Sequence, residues 1–212
     1  MTQHPQEGRQ RVVIERVRPE VDAGRFAIKR AVGEQVEVSA SIFCDGHDRI
    51  GAVVQYRFAD GDWAEAPMQA LPNDRWQAVF TVERIGSYEY AVAAWIDTFL
   101  TWRHDLLRRT DAADIAIALK SGALLVDAAG QRASGPDRDT LMACAAQLAA
   151  AGAEEGRVLA ADPILEHLMA RHAERRFVQS HAPLQVTVDP VRARFSSWYE
   201  LFPRSCGPSA AV

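Results

Sequence analysis

The chain has 212 residues, of which 48% are hydrophobic and 25% are charged. This length accommodates one large domain or two small ones, and the composition is ordinary for a soluble globular protein. The net charge of −4 argues against nucleic acid as a partner, and no apolar run approaches the roughly 20 residues that a membrane span requires.

The beginning of the chain and its cysteines indicate a cytoplasmic protein. Residues 1–10, MTQHPQEGRQ, lack the apolar core of a signal peptide and are predicted to be a disordered tail. The three cysteines, Cys44, Cys144 and Cys206, lie far apart in sequence. An odd and sparse set of this kind does not indicate a disulfide framework, so a reducing compartment is expected.

Residues 11–100 consist of short segments in which hydrophobic and polar side chains alternate. Examples are QVEVSASIF at 35–43, RWQAVFTVE at 75–83 and YEYAVAAW at 88–95. A period of two is typical of half-buried strands, and turn signals such as DGHD and LPND separate the segments. Five or more short strands at regular spacing predict an antiparallel, immunoglobulin-like β-sandwich.

Residues 101–180 have a helical pattern rich in alanine and leucine. In DPILEHLMARHAERR, Asp162 is a suitable N-cap and Pro163 occupies the first helical position. In DRDTLMACAAQLAAAG, Leu141, Ala145 and Leu148 recur on one face. With DAADIAIALKSGALLVDAAG and the shorter WRHDLLRR, these segments predict three or four helices that form a small bundle.

Alternation returns in LQVTVD at 184–189, so residues 183–192 are assigned to the sandwich. The predicted fold class is therefore α+β, a β-sandwich into which a small helical bundle is inserted. Residues 193–212 contain a dense apolar stretch that needs a partner to cover it, and we expect it to be the start of a further domain. The apolar residues of this stretch are Phe195, Trp198, Tyr199, Leu201 and Phe202.

The stretch FCDGHDRI at 43–50 raises the question of a metal site. Asp45, His47 and Asp48, with or without Cys44, are possible ligands. No second cluster with recognisable spacing completes a ligand set, and the pattern of a calcium loop is absent. A polar turn is favoured, in which Gly46 adopts a positive φ, and neither a metal nor a cofactor is predicted.

Catalytic residues are not recognisable in the sequence. Glu83, Glu89, Asp97 and Asp105 could form a carboxylate pair for glycoside chemistry, but no cleft between them is evident. The chain also lacks a nucleophile elbow of the form G-x-S-x-G and a phosphate-binding loop. A self-contained hydrolase is therefore the weakest of the possible functions.

Aromatic residues are numerous and leave carbohydrate binding open. Trp76 and Tyr88 fall on the inward phase of their strands, which favours the core. Trp63 follows a turn and is expected to be exposed, whereas Trp95 has the opposite phase to Tyr90 and is expected to face a partner domain or the helices. A free-standing carbohydrate-binding module is therefore the alternative reading of this chain.

Several long blocks resemble one family. These blocks are RVVIERVRPEVDAGRFAIKRAVGEQVEVSASIFCDGHDRIGAVVQYR, NDRWQAVF, GSYEYAVAAWIDTFLTWRHDL and ARFSSWYELFPRS. In this order they resemble the N-terminal region of the α-1,4-glucan:maltose-1-phosphate maltosyltransferases of the α-amylase superfamily. The resemblance extends from Arg11 to Ser205 and is weakest in the helical section.

The resemblance implies a retaining transfer of maltosyl units from α-maltose 1-phosphate to α-1,4-glucan. The two carboxylates of such a reaction would lie on a (β/α)₈ barrel that follows this sequence, so no catalytic residue is assigned here. The N-terminal part would pack on that barrel and take part in a homodimer. WYELFPRS would lead into the first barrel strand.

The same resemblance suggests which residues contact the barrel or a second subunit. In the turn at 43–50 they are expected to brace the sandwich, and those of DTFLTWRHD are expected to face the active-site side. The complete candidate set is Asp45, His47, Asp48, Trp95, Trp102, Arg103, Trp198 and Tyr199.

Overall fold

The computed structural model describes residues 11–195, which contain ten strands. The strands are β1 (Val12–Arg18), β2 (Ile28–Ala31), β3 (Gln35–Cys44), β4 (Ile50–Phe58), β5 (Ala64–Pro67), β6 (Gln69–Leu71), β7 (Arg75–Thr81), β8 (Gly86–Ile96), β9 (Arg176–Ser180) and β10 (Leu184–Asp189). One sheet has the order β1-β3-β7-β6. The larger sheet has the order β2-β10-β8-β4-β5, and β9 also pairs with β8.

Nearly all neighbouring strands are antiparallel, as predicted. The pair β2–β10 is parallel and departs from that prediction. Strand β10 lies between β8 and β2, runs opposite to β8 and has the same direction as β2. Strands β9 and β10 follow each other along one edge of β8, with Ser180 opposite Ala93 and Leu184 opposite Tyr90.

The two sheets enclose one hydrophobic core. The alternation in β3 places Val36, Val38 and Ile42 in this core, and their side chains are at most 1% exposed. From the larger sheet, Val54 and Tyr90 enter the same cluster. Complete burial of one such aliphatic side chain contributes about 1.5–3 kcal/mol, so this face supplies much of the stability of the fold.

Aromatic contacts show that the sheets face each other. Tyr56 of β4 stacks on Phe80 of β7 with ring centroids 4.5 Å apart, and Phe80 lies 5.9 Å from Tyr90 of β8. Each pair joins a strand of one sheet to a strand of the other. These contacts confirm that Tyr90 and its neighbours belong to the core.

Five helices lie between β8 and β9 in the chain. They are α1 (Thr98–Arg108), α2 (Ala112–Arg132), α3 (Gly135–Ala150), α4 (Ala153–Ala160) and α5 (Pro163–Arg171). The predicted start of α5 is confirmed, since the Asp162 side chain accepts a hydrogen bond from the N–H of Ile164 and Pro163 is the first helical residue. In α2, Asp111 caps the helix in the same way.

The helices have a core of their own. Leu141, Ala145 and Leu148 of α3 are buried in it, as predicted, and Leu119 of α2 and Leu165 of α5 join them. The observed α+β content confirms the predicted class. In residues 11–195 no helix is both long and apolar enough to cross a bilayer.

The limits of the helical segment differ from the prediction of 101–180. The first helix already begins at Thr98, because the Asp97 side chain caps it. At the other end, Arg176–Ser180 form β9 rather than helix. The segment RFVQS pairs with the C-terminal half of β8, and this long-range pairing determines its conformation.

Candidate contact site between the sheets and the helices

Asp97 joins the larger sheet to the helices. Its backbone N–H donates to the carbonyl of Arg49 at 2.8 Å, and its side chain accepts from the N–H of Leu100 at 2.8 Å. The residue is only 9% exposed. Burial raises the pKa of the Asp97 carboxyl, while the backbone N–H groups of Leu100 and Phe99 act in the opposite direction. This carboxylate therefore serves as a helix cap.

The loop before β4 is attached to the first turn of α1. The N–H of Arg49 donates to Thr101 Oγ1 at 2.8 Å, and the Thr101 hydroxyl donates to the carbonyl of Asp97 at 2.8 Å. Together with the bond from Asp97 to Arg49, these contacts hold the backbone of Arg49 in place at the point where sheet and helix meet.

Trp95 lies on the face of the larger sheet that points away from the core between the sheets. It is 4% exposed and clusters with Val53 and Ala93. Its ring covers Gly51, where an added Cβ would lie 2.6 Å from Trp95 Cε2. The guanidinium of Arg175 covers the ring at 4.5 Å from its centroid. Trp95 and Arg175 also line a small cavity against α2 and α5, which agrees with the prediction that Trp95 faces the helices.

Arg175 follows α5 and binds Glu65 of β5. Its two terminal nitrogens donate to the two carboxylate oxygens at 2.7 and 2.5 Å, and Gln55 Nε2 donates to Oε1 at 3.0 Å. The hydrogen bonds from Arg175 lower the pKa of Glu65, against the smaller effect of burial. The exit of the helical segment is therefore tied to the sheet, as its entry is at Asp97.

The turn at 43–50 is closed by Arg11. The Nε of Arg11 donates to Asp45 Oδ1 at 2.9 Å, and its Nη2 donates to Asp48 Oδ2 at 2.6 Å. Gly46 has a φ of +80°, as the turn prediction requires. Hydrogen bonds to the two carboxylates raise the pKa of Arg11, and the bond to Asp48 has the larger effect. The structure thus brings Asp45 and Asp48 together around an arginine.

His47 and three other predicted contact residues line one open groove. The groove runs between the strand ends of the sheets and helices α1 and α5, and the predicted residues in it are His47, Asp48, Trp95 and Arg103. His47 itself is exposed. That these residues contact a further domain or a second subunit stays a prediction.

Trp102 has its main contacts inside the helical segment. Its indole N–H donates to the carbonyl of Ala118 at 2.7 Å, and its ring occupies the space above Gly122, where an added Cβ would lie 1.9 Å from Cζ2. Arg103 on the next position binds Glu166 of α5 at 2.8 Å. Both residues therefore connect helices, and their role towards another domain stays a prediction. Trp198 and Tyr199 lie outside the described residues.

The acidic residues considered for catalysis do not converge. Glu89 accepts a hydrogen bond from Arg57 Nε at 2.8 Å, and Asp97 caps α1. Glu83, between β7 and β8, and Asp105 of α1 are both exposed. In the described part of the chain, no three or more histidine, cysteine, aspartate or glutamate side chains are grouped as a metal ion would require.

The aromatic residues are mostly used for packing. Tyr88 is 5% exposed, which confirms that it belongs to the core. Trp76 is half-buried and donates its N–H to the carbonyl of Ile42 at 3.1 Å, in agreement with its predicted inward position. Trp63, which was expected to be exposed, is half-buried because Arg57 covers its ring at 4.6 Å. Across residues 11–195, no tryptophan or tyrosine is among the exposed large side chains.

Comparison with known proteins decides the family. The family model described as "Alpha-1,4-glucan:maltose-1-phosphate maltosyltransferase, domain N/S" matches residues 10–190. This chain belongs to that family. Its relatives include the α-1,4-glucan:maltose-1-phosphate maltosyltransferases of Chlorobaculum tepidum, 40% identical over 95% of this chain, and of Myxococcus xanthus, 40% identical over 92%. The resemblance seen in the sequence blocks is thereby confirmed.

The chain spans about a third or less of the length of these relatives. It covers 30% of the Chlorobaculum tepidum protein, 31% of the Myxococcus xanthus protein and 18% of the Burkholderia pseudomallei protein. The matched region is the N/S part named in the family model, which corresponds to the two sheets and the five helices.

The residues that hold the site together carry no recognisable signal in the sequence. Arg11, Arg49, Glu65 and Arg175 are surface-type residues without a motif, and their partners are 34 to 110 positions away. One usable signal was Gly51 on β4 opposite Trp95, since a glycine within a strand often marks the close approach of another group.

Proposed function

We propose that this chain supplies the accessory N/S region of a maltosyltransferase that transfers maltosyl units from α-maltose 1-phosphate to α-1,4-glucan. The main support for this proposal is the match of the N/S family model to residues 10–190. The relatives are about three times longer, so the proposal places the bond-forming residues in their remaining length. The immunoglobulin-like sandwich, the helical bundle and a cytoplasmic location are part of this proposal.

The charged groups of the junction support an accessory role. Asp97 caps a helix, Glu65 binds Arg175, and Glu166 binds Arg103, so each of these carboxylates already has a structural partner. Retaining glycosyl transfer needs two carboxyl groups about 5–5.5 Å apart at an accessible cleft. The described residues supply structural ion pairs at this place, which favours a scaffold.

The exposed side of the groove is the part that we assign to contact with the barrel or with a second subunit. Asp45, His47 and Asp48 form a turn that Arg11 keeps rigid, so these residues are presented in a fixed arrangement. A rigid polar turn loses little conformational entropy on association. Homodimer formation by the complete protein belongs to the same proposal.

A chimera tests the accessory role. The matching N/S region of the Chlorobaculum tepidum protein is replaced by residues 10–190 of this chain, and phosphate release from α-maltose 1-phosphate is measured with maltohexaose as acceptor. We expect the chimera to be active, and the relative without its N/S region to be inactive or unstable. A folded chimera without activity, beside an active relative that lacks the region, contradicts the proposal.

The alternative of a free-standing carbohydrate-binding module has less support. Sugar rings stack on exposed aromatic faces, but Trp95 is covered by Arg175 and Trp63 by Arg57. Trp76 is half-buried against the core. Electrophoresis in a gel containing glycogen separates the two readings, since the accessory role predicts unchanged migration of the 212-residue chain.

A further inference from the structure

Two arginines and one histidine meet on the groove between the sheets and α1. Arg49 Nη2 lies 2.8 Å from His104 Nδ1 and 2.9 Å from His104 Nε2, and Arg108 Nη1 lies 3.2 Å from His104 Nε2. We call Arg49, His104 and Arg108 the arginine–histidine cluster. Both guanidinium groups touch the same ring, so two full positive charges lie close together in a chain whose net charge is −4.

The cluster lacks an internal counter-charge. A neutral imidazole has one acceptor nitrogen, so His104 cannot satisfy two guanidinium groups with their many donors. Within residues 11–195, neither Arg49 nor Arg108 has a carboxylate within 4.0 Å. Among the acids that line the groove, Asp48 binds Arg11 at 2.6 Å, Asp97 caps α1, and Glu65 and Glu166 bind other arginines.

Backbone contacts fix the positions from which the cluster side chains extend. Arg49 is fixed from both sides, by its N–H bond to Thr101 Oγ1 and by the bond from Asp97 to its carbonyl, each 2.8 Å long. His104 and Arg108 are one turn apart on α1, where residues four positions apart share a face. Arg49 and Arg108 are both exposed, and their like charges repel, so an anion that bridges the two guanidinium groups would relieve this repulsion.

We propose that the arginine–histidine cluster binds the phosphate group of inorganic phosphate or of a phosphate monoester. A phosphate monoester carries a charge of about −1.5 to −2 at neutral pH and three acceptor oxygens, which matches two guanidinium groups in charge and in donors. Arginine presents a planar fork that suits this geometry. This site lies on the N/S region itself and does not depend on the transferase role.

Calorimetric titration of the 212-residue chain tests the site, in a buffer of low ionic strength without phosphate. Inorganic phosphate and α-glucose 1-phosphate are used as separate probes, so the free ion and the ester are distinguished. We expect both to bind. Arg49→Ala and Arg108→Ala should each weaken binding by about tenfold, as for the loss of one charge-assisted hydrogen-bonding group.

Matched variants make the result specific. Arg138→Ala removes an exposed arginine on α3 and should leave the affinity unchanged, whereas Arg49→Lys keeps the charge without the fork and should give an intermediate affinity. Arg108 is the last residue of α1 and is exposed, so Arg108→Ala tests the site even if Arg49→Ala unfolds the loop.

Three outcomes overturn the proposal. The first is that neither probe binds the chain. The second is that binding is the same in Arg108→Ala and in Arg138→Ala. The third is that a short glutamate-rich peptide binds more tightly than either phosphate probe and loses affinity in Arg108→Ala, which would assign the cluster to an acidic protein segment.

Discussion

Arg175 and Glu65 form a two-point ion pair across 110 residues of the chain, with N–O distances of 2.7 and 2.5 Å. The pair joins the end of the helical segment to strand β5, and the same arginine covers Trp95. The helices are thus fastened to the larger sheet at both ends, by Asp97 on entry and by Arg175 on exit. A region held at two points is suited to transmit a fixed position to a neighbouring domain.

Glu65→Gln should lower the free energy of unfolding by about 1 kcal/mol at pH 7. The two-point geometry places this value at the upper end for accessible pairs. It is not larger because the side chains are 27% and 33% exposed, so solvent screens their interaction. Urea unfolding provides the measurement. Glu174→Gln serves as the control, since it removes an exposed carboxylate on the same connection, and an equal loss in both variants would argue against the ion pair.

The contribution of Glu65 should depend on pH. Its pKa is lower in the folded protein than in the unfolded chain, so the folded state favours the ionised form. The stabilisation is therefore complete above the unfolded pKa of about 4.3 and is lost as the pH falls through the lower folded value. The unfolding free energies of the wild type and Glu65→Gln should converge progressively as the pH falls below about 4.3. A stability difference between the wild type and Glu65→Gln that grows as the pH falls would contradict this account.

Gly122→Ala should destabilise the protein, although alanine is the better helix former by about 1 kcal/mol. An added Cβ would lie 1.9 Å from Trp102 Cζ2, and overpacking of this kind costs about 1–3 kcal/mol. Gly130→Ala in the same helix is the control, because its nearest neighbour is the flexible, partly exposed Met142 at 2.9 Å. The thermal unfolding temperature of Gly122→Ala should therefore be well below that of Gly130→Ala. The opposite order would contradict the packing of Trp102 against Gly122.

Asp97→Ala should cost about 1 kcal/mol of stability, the usual effect of removing an N-cap side chain. Asp97→Asn should cost less, because an amide oxygen also caps the helix and does not have the burial penalty of a charged carboxylate. Chemical unfolding of both variants provides the comparison. Equal losses would indicate that the negative charge at Asp97 matters more than its role as a cap.

His47→Ala and Trp102→Ala should separate contact residues from packing residues. The His47 side chain is exposed, so its removal should leave the stability of this chain unchanged. Trp102 packs on Phe99 and bonds to Ala118, so its loss should cost about 3 kcal/mol. In a complete maltosyltransferase, His47→Ala should still lower activity or dimer stability. Unchanged kinetics and an unchanged dimer would retire His47 as a contact residue.

The regular elements were predictable because their patterns are local. Period-two alternation identified β3, β7 and β8, and the pair Asp162–Pro163 located the start of α5. Strand β9 was missed because RFVQS follows α5 after only four residues, and its pairing with β8 makes it a strand. Local side-chain patterns are visible in the sequence, whereas the pairing of a segment with a distant strand is not.

The contacts of the site were not predictable for the same reason. Arg11 meets Asp48 across 37 positions, and Arg175 meets Glu65 across 110. Any surface arginine could in principle meet any surface carboxylate, so composition does not select these pairs. The contact of Trp102 with Gly122, 20 positions away, was equally invisible in the sequence, although the glycine provides the space for the ring.

We propose that the sheets and helices position a catalytic apparatus that they do not themselves contain. The most direct measurement is phosphate release by the purified 212-residue chain from α-maltose 1-phosphate, with maltohexaose as acceptor and the Chlorobaculum tepidum enzyme as positive control. We expect no release above the buffer rate and no lengthening of the acceptor. Release of phosphate together with elongated maltooligosaccharide, retained after further purification, would contradict the claim.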